Sequence, residues 1–147
     1  MIYEMKLVWS VLREDAPQLP VRTPKQVYDY AMNYCYKPEN MGQEVAFLLF
    51  VNRAGVIYGQ HELAKGGLDA VVLDKRLVCK IAIDSMAHGI VVVHNHPTGN
   101  SAPSNADIEQ TQGIKRALSA IGVSLLDHVI VGDKEFFSFS EDKLLRI

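Results

Sequence analysis

Residues 89–107, GIVVVHNHPTGNSAPSNAD, decide how this chain is read. IVVVH is a short apolar run and reads as a strand buried inside a sheet. It delivers His94 and His96 at its end. If the strand extends through His96, its period of two points both imidazoles the same way. The stretch PTGNSAP that follows is a loop, because proline and glycine interrupt any regular element. Ser104 then opens a helix expected to stop near Gly122.

Outward from this core, elements alternate in type. Upstream, EVAFLLFVN (44–52), the turn RAG and VIYGQHEL (56–63) predict a hairpin whose first strand is apolar on both faces. DAVVL (69–73) predicts another short strand. Asp74 caps a helix to about Ala87, with Val78, Ile81, Ala82 and Ser85 facing inward and Gly89 ending it. Downstream, VSLLDHVIVG and FFSFS supply closing strands. Near the N-terminus, Tyr3, Met5, Leu7, Trp9 and Val11 alternate, which predicts a strand over 3–12. A proline-containing loop then leads to Thr23-Pro24, a hydroxyl cap with proline at the first helical position, and a helix to about Tyr36. Strands alternating with helices imply an α/β layered domain with a mixed sheet. Residues 1–43 are too few for a core of their own and are expected to form a strand-and-helix appendage to residues 44–147.

Two imidazoles on one face can share a divalent metal, and a third ligand is needed. Asp107, eleven positions beyond His96, lies where a helix N-terminus folds back over the strand end. Two histidines and a carboxylate leave one tetrahedral position of zinc (Zn2+) open to water. Ser104-Asn105-Ala106-Asp107 also has the outline of a capping box. The two roles are compatible: Ser104 opens the helix while Asp107 turns toward metal. Hydrolysis further requires a carboxylate to move the water's proton. Glu44 is the candidate, since it begins an apolar strand where an acid has no packing purpose, although a strand-start carboxylate in water is the plain alternative.

The same residues resemble a known signature. A glutamate upstream, then His-x-His, seven residues, Ser, two residues and Asp is the JAMM pattern of JAB/MPN-domain metalloproteases, matched here by Glu44, His94, His96, Ser104 and Asp107. HNHPTG, Thr111 four beyond Asp107, LLDHVIVG and SFSE are similar to the RadC-like branch of that superfamily. The resemblance covers about Met41 to the C-terminus. It implies a three-layer α-β-α domain of the cytidine-deaminase-like kind, zinc on His94, His96 and Asp107, and Glu44 as general acid/base. It assigns Ser104 an oxyanion-stabilising hydroxyl. Related metalloproteases often need an activating partner. Two departures stand out: no helix-hairpin-helix segment is evident, and Thr98 replaces the usual serine.

The implied function is a peptidase or isopeptidase. A RadC-like accessory protein in DNA repair or on mobile elements is the alternative, and the net charge of −2 gives nucleic-acid binding no support. A nucleobase deaminase is excluded, since H-x-E and P-C-x-x-C are both missing. Two distant cysteines and no signal-like leader or long apolar run predict a cytoplasmic protein without a membrane partner. The N-terminal strand offers an edge through which a homodimer would pair. His61, His88 and His128 read as surface or hydrogen-bonding histidines, with Asp127-His128 a structural pair. Cys79 reads as a core residue and Cys35 has no adjacent base.

Overall fold

The computed structural model describes residues 1–6, 8–9, 18–66 and 71–145. It contains helix α1 (Pro24–Tyr34), strands β1 (Val45–Val51) and β2 (Ile57–Lys65), and helix α2 (Lys75–Asp84). Strand β3 (Gly89–Asn95), helix α3 (Asn105–Ala120), strand β4 (Ser124–Val131) and strand β5 (Phe136–Ser138) follow. The five strands form one sheet in the order β2-β1-β3-β4-β5. Pairing is antiparallel except between β3 and β4, where α3 makes the crossover a parallel pair requires.

Both faces of the sheet are covered, so β1 and β3 are buried at every position. Ala46, Leu48, Phe50, Ile90, Val92 and Ile130 pack under α2 and α3. Val45, Phe47, Leu49, Val91, Val93 and Val129 pack under α1. Strand alternation thus sorts one apolar run into two cores, completing the expected three-layer α-β-α arrangement. Burying each of these valine, leucine, isoleucine and phenylalanine side chains contributes about 1.5–3 kcal/mol.

Helix starts follow their local chemistry. Thr23 and Gln26 form a full capping box at α1, Asp74 accepts from Arg76 and Leu77 at α2, and Ser104 and Asp107 form the box at α3. Between β1 and β2, the Asn52 side chain accepts from the amides of Ala54 and Val56, and Gly55 takes a positive φ of 77°.

Three expectations need correction. Of the strand predicted over 3–12, the described residues 3–6, 8 and 9 form no ladder; the rest lies outside the described residues. Tyr3, Met5 and Val8 are more than 70% exposed, so the alternation has no apolar surface to lie against. Among the described residues of this stretch, Trp9 makes a ring contact, edge-on to Phe50 at 6.0 Å. Val71–Leu73 are also not a strand, and residues 69–70 lie outside the described set. Their backbone is satisfied by the Gln110 side chain of α3, which accepts from Leu73 N–H and donates to Val71 C=O. Finally, α2 ends at Asp84, with Met86 in the left-handed region at φ 54°, so Gly89 does not stop it. Gly89 begins β3 instead, where a Cβ would meet the Leu126 side chain at 2.6 Å.

Candidate metal centre

Strand period and register bring the candidate residues together. β3 pairs with β1 so that Ala46 lies opposite His94. Two residues earlier, Glu44 falls on the same face, toward α3. Asn95 points the other way and is fully buried. Its side-chain oxygen accepts from Val45 N–H at 2.8 Å, and its amide donates to the Gln43 carbonyl at 3.1 Å. These bonds grip the chain on both sides of Glu44, which fixes where that carboxylate enters the centre.

The loop from Pro97 to Pro103 is tied to the end of β4. His96 N–H donates to Val131 C=O, Asp133 N–H to Gly99 C=O, and Ser101 N–H to the Glu135 carboxylate. Gly132 makes this close approach feasible, because a Cβ there would collide with the Gly99 carbonyl oxygen. The return of the loop puts the N-terminus of α3 over the end of β3. Asp107 arrives there with Oδ2 accepting from Ser104 N–H at 2.9 Å, while Ser104 Oγ accepts from Asp107 N–H at 3.0 Å. Capping and site geometry therefore coexist in the same four residues.

Four side chains converge. His94 Nε2 and His96 Nε2 are 3.1 Å apart. Asp107 Oδ1 is 3.5 Å from His94 Nε2, and its Oδ2 is 3.3 Å from His96 Nε2. Glu44 Oε1 is 3.7 Å from His96 Nε2. Glu44, His94 and His96 each offer a donor atom within 4.8 Å of the others, a grouping able to hold a metal ion. Donors about 2.0–2.1 Å from a tetrahedral zinc lie roughly 3.3 Å from one another. The donor chemistry and the spacing both fit such an ion. Two carboxylates reach the same point: Glu44 completes the grouping with the two imidazoles, and Asp107 lies 3.5 Å from His94 and 3.3 Å from His96.

Local electrostatics separate the two histidines. Burial lowers the His94 imidazole to a pKa of about 4, with Asp107 opposing and His96 adding to the shift. His96 lies at the rim and is raised, mainly by its hydrogen bond with Asp107. Burial pushes the Asp107 carboxyl upward, but the hydrogen bonds from His96 and Ser104 and the proximity of His94 outweigh it. The net result is a carboxylate well below the usual range. His96 Nδ1–H donates to the Asn100 carbonyl at 2.8 Å, which turns its Nε2 toward the centre.

All five residues singled out in the sequence (Glu44, His94, His96, Ser104 and Asp107) lie in this region; Ser104 is exposed at its edge. Three others were given no part in the centre by the sequence. Asn95 has just been placed. His128, read from sequence as part of a structural pair, is fully buried with Nε2 2.6 Å from His94 Nδ1. Its ring stacks on Phe139, and its Nδ1 is 2.6 Å from Thr111 Oγ1. Thr111 in turn donates to the Asp107 carbonyl at 2.6 Å. Sequence spacing cannot show that His128 lies beside His94, because the contact is created by pairing β4 with β3. Asp127, its neighbour, accepts from Ser138 and from the Ser140 amide, the structural role expected of it. His61 and His88 are exposed.

Residues 21–144 match the RadC-like JAB domain family. Among curated proteins, the chain is 38% identical to a UPF0758 protein of Chlorobium luteolum, over 85% of this chain and 55% of that one. It is 36% identical to a UPF0758 protein of Porphyromonas gingivalis, over 72% and 47%, and 40% identical to one of Chlorobaculum parvum, over 70% and 46%. The chain thus spans about half the length of the curated relatives it matches. With the match covering most of the sequence and the fold, this chain belongs to the RadC-like JAB-domain family.

Proposed function

We propose that the chain is a zinc-dependent hydrolase of peptide or isopeptide bonds. The observation that carries this reading is the convergence of Glu44, Asp107 and the Nε2 atoms of His94 and His96 within 3.1–3.7 Å contacts. His94, His96 and Asp107 would hold the ion. When bound, zinc polarises a carbonyl and brings the pKa of water close to neutrality.

The remaining chemistry belongs to the chain. Glu44, 6% exposed at the start of β1, receives a proton at its carboxylate and returns it to the departing amine. Ser104 uses a lone pair to cap α3, which leaves its hydroxyl hydrogen free to donate to a developing oxyanion. Beside His96 lies an open cavity of about 360 Å³, lined in part by Tyr28, Met32, Met41 and Lys134. It gives an extended substrate a path to the centre, and α1 supplies one of its walls. No described helix is long and apolar enough to cross a membrane.

Elemental analysis of protein purified without added metal tests the reading. About one zinc per chain is expected, lost in a His94→Ala/His96→Ala double variant. Glu44→Gln should keep the zinc while losing turnover of peptide or isopeptide substrates, presented with any activating partner. A wild-type chain that takes up no zinc even when supplied with it would sink the proposal.

A further inference from the structure

We propose that Thr111 and His128 are positioning residues that fix the tautomer of His94, so that its Nε2 carries a lone pair facing His96 and Asp107. This rests on the metal-binding reading and adds to it the direction of each hydrogen bond behind the centre. The direction is set at the backbone carbonyl of Asp107, which can only accept. Thr111 Oγ1 lies 2.6 Å away and must therefore donate its hydrogen to that oxygen. A hydroxyl has one hydrogen. With it spent, Thr111 Oγ1 can only accept from His128 Nδ1, also at 2.6 Å.

His128 then carries its proton on Nδ1. It is 1% exposed and stacked on Phe139 at an interplanar angle of 9°, an apolar setting that favours the neutral ring. The Nε2 of a neutral ring with Nδ1–H is an acceptor, and it faces His94 Nδ1 at 2.6 Å. His94, itself 1% exposed, therefore donates from Nδ1 and keeps Nε2 bare. The reverse order would pull the hydroxyl hydrogen off a carbonyl 2.6 Å away.

His96 reaches the same tautomer through the Asn100 carbonyl. The His94 route is longer: His94 is sealed inside the sheet, and its hydrogen bonds run through His128 and Thr111 to a carbonyl in the first turn of α3. That acceptor belongs to Asp107, so one path of hydrogen bonds links the backbone of one proposed ligand to the ring of another. Such outer partners raise ligand basicity and hold ring orientation, and losing one typically costs 10–100-fold in metal affinity.

Two measurements test this. Nitrogen-15 NMR of the imidazoles in the metal-free protein reads the tautomers directly, and Nδ1–H is expected at both His94 and His128. Competition against a chromophoric chelator reads zinc affinity: Thr111→Val should weaken it about 10–100-fold, and Thr111→Ser, which restores the hydroxyl, should recover most of the loss. Finding His94 protonated on Nε2 in the metal-free wild-type protein overturns the inference, as does a folded Thr111→Val protein with wild-type affinity. Should Thr111→Val fail to fold, the wild-type tautomer alone decides. A wild-type chain with Nδ1–H at His94 but no zinc uptake would remove the hydrolase reading and leave the positioning role standing.

Discussion

The two halves of the centre are held by different means. His94 sits in β3, between two strands, and its ring is backed by His128 and Thr111 out of contact with water. His96 lies one residue past the strand, at the rim, and its ring is backed by a loop carbonyl. The strand-held half is fixed by packing in two dimensions. The loop-held half depends on a few hydrogen bonds and on Gly132 approaching Gly99. The contrast teaches that a three-residue motif can draw its two histidines from environments of different polarity and different rigidity.

Acid should separate the halves most. The pKa of His94 is depressed to about 4 in the metal-free protein, below an unfolded value near 6.5, so the unfolded state binds more protons between those values. Its contribution is fully present above about pH 6.5 and is lost as pH falls toward 4. Between pH 7 and pH 5 this amounts to about 2 kcal/mol from His94 alone. His128 is shifted the same way by burial and adds to the loss. His96 is raised and works in the opposite sense, stabilising at low pH and losing that contribution as pH rises. Urea unfolding of the metal-free protein at the two pH values checks the balance, and His96→Ala should make the acid loss steeper. Equal stability at both pH values in the His96→Ala variant would mean that His94 is not buried neutral.

Gly132→Ala attacks the loop-held half by itself. The new Cβ meets a backbone oxygen that cannot rotate away, so about 1–3 kcal/mol of stability should be lost. The imidazole NMR signals of His96 should move while those of His94 stay in place. Shifts of similar size at both rings would mean that the halves are coupled more tightly than their separate supports suggest.

The smallest effect is expected from Ser104→Ala. Removing the cap of α3 should cost about 1 kcal/mol, read by thermal unfolding of the metal-free protein. If Ser104 also serves an oxyanion, turnover should fall far more than this loss of stability explains. Equal losses in stability and activity would reduce Ser104 to its capping role.

The failed strand predictions show where local pattern stops being enough. Residues 3–12 alternate as cleanly as many strands, yet Tyr3 and Met5 stay in water, because alternation specifies a ladder only where an apolar face and a free edge await it. Val71 and Leu73 are buried as a strand would bury them, but a glutamine side chain of α3 satisfies their backbone. No property of residues 69–73 announces that partner.

The sequence by itself determined the layered α/β architecture, because long apolar runs, capping residues and turn residues act locally and each of them is visible in a few neighbouring positions. It also marked Glu44, His94, His96, Ser104 and Asp107, since the spacing of a strand end, a loop and a helix start is written along the chain. Only the tertiary structure decided that Asn95 grips the entry to β1, that two carboxylates reach the same imidazoles, and that His128 and Thr111 stand behind His94. Those contacts join residues 11 to 52 positions apart. They exist only once β3 has paired with β1 and β4, and a pairing register is a property of the assembled sheet rather than of any one segment.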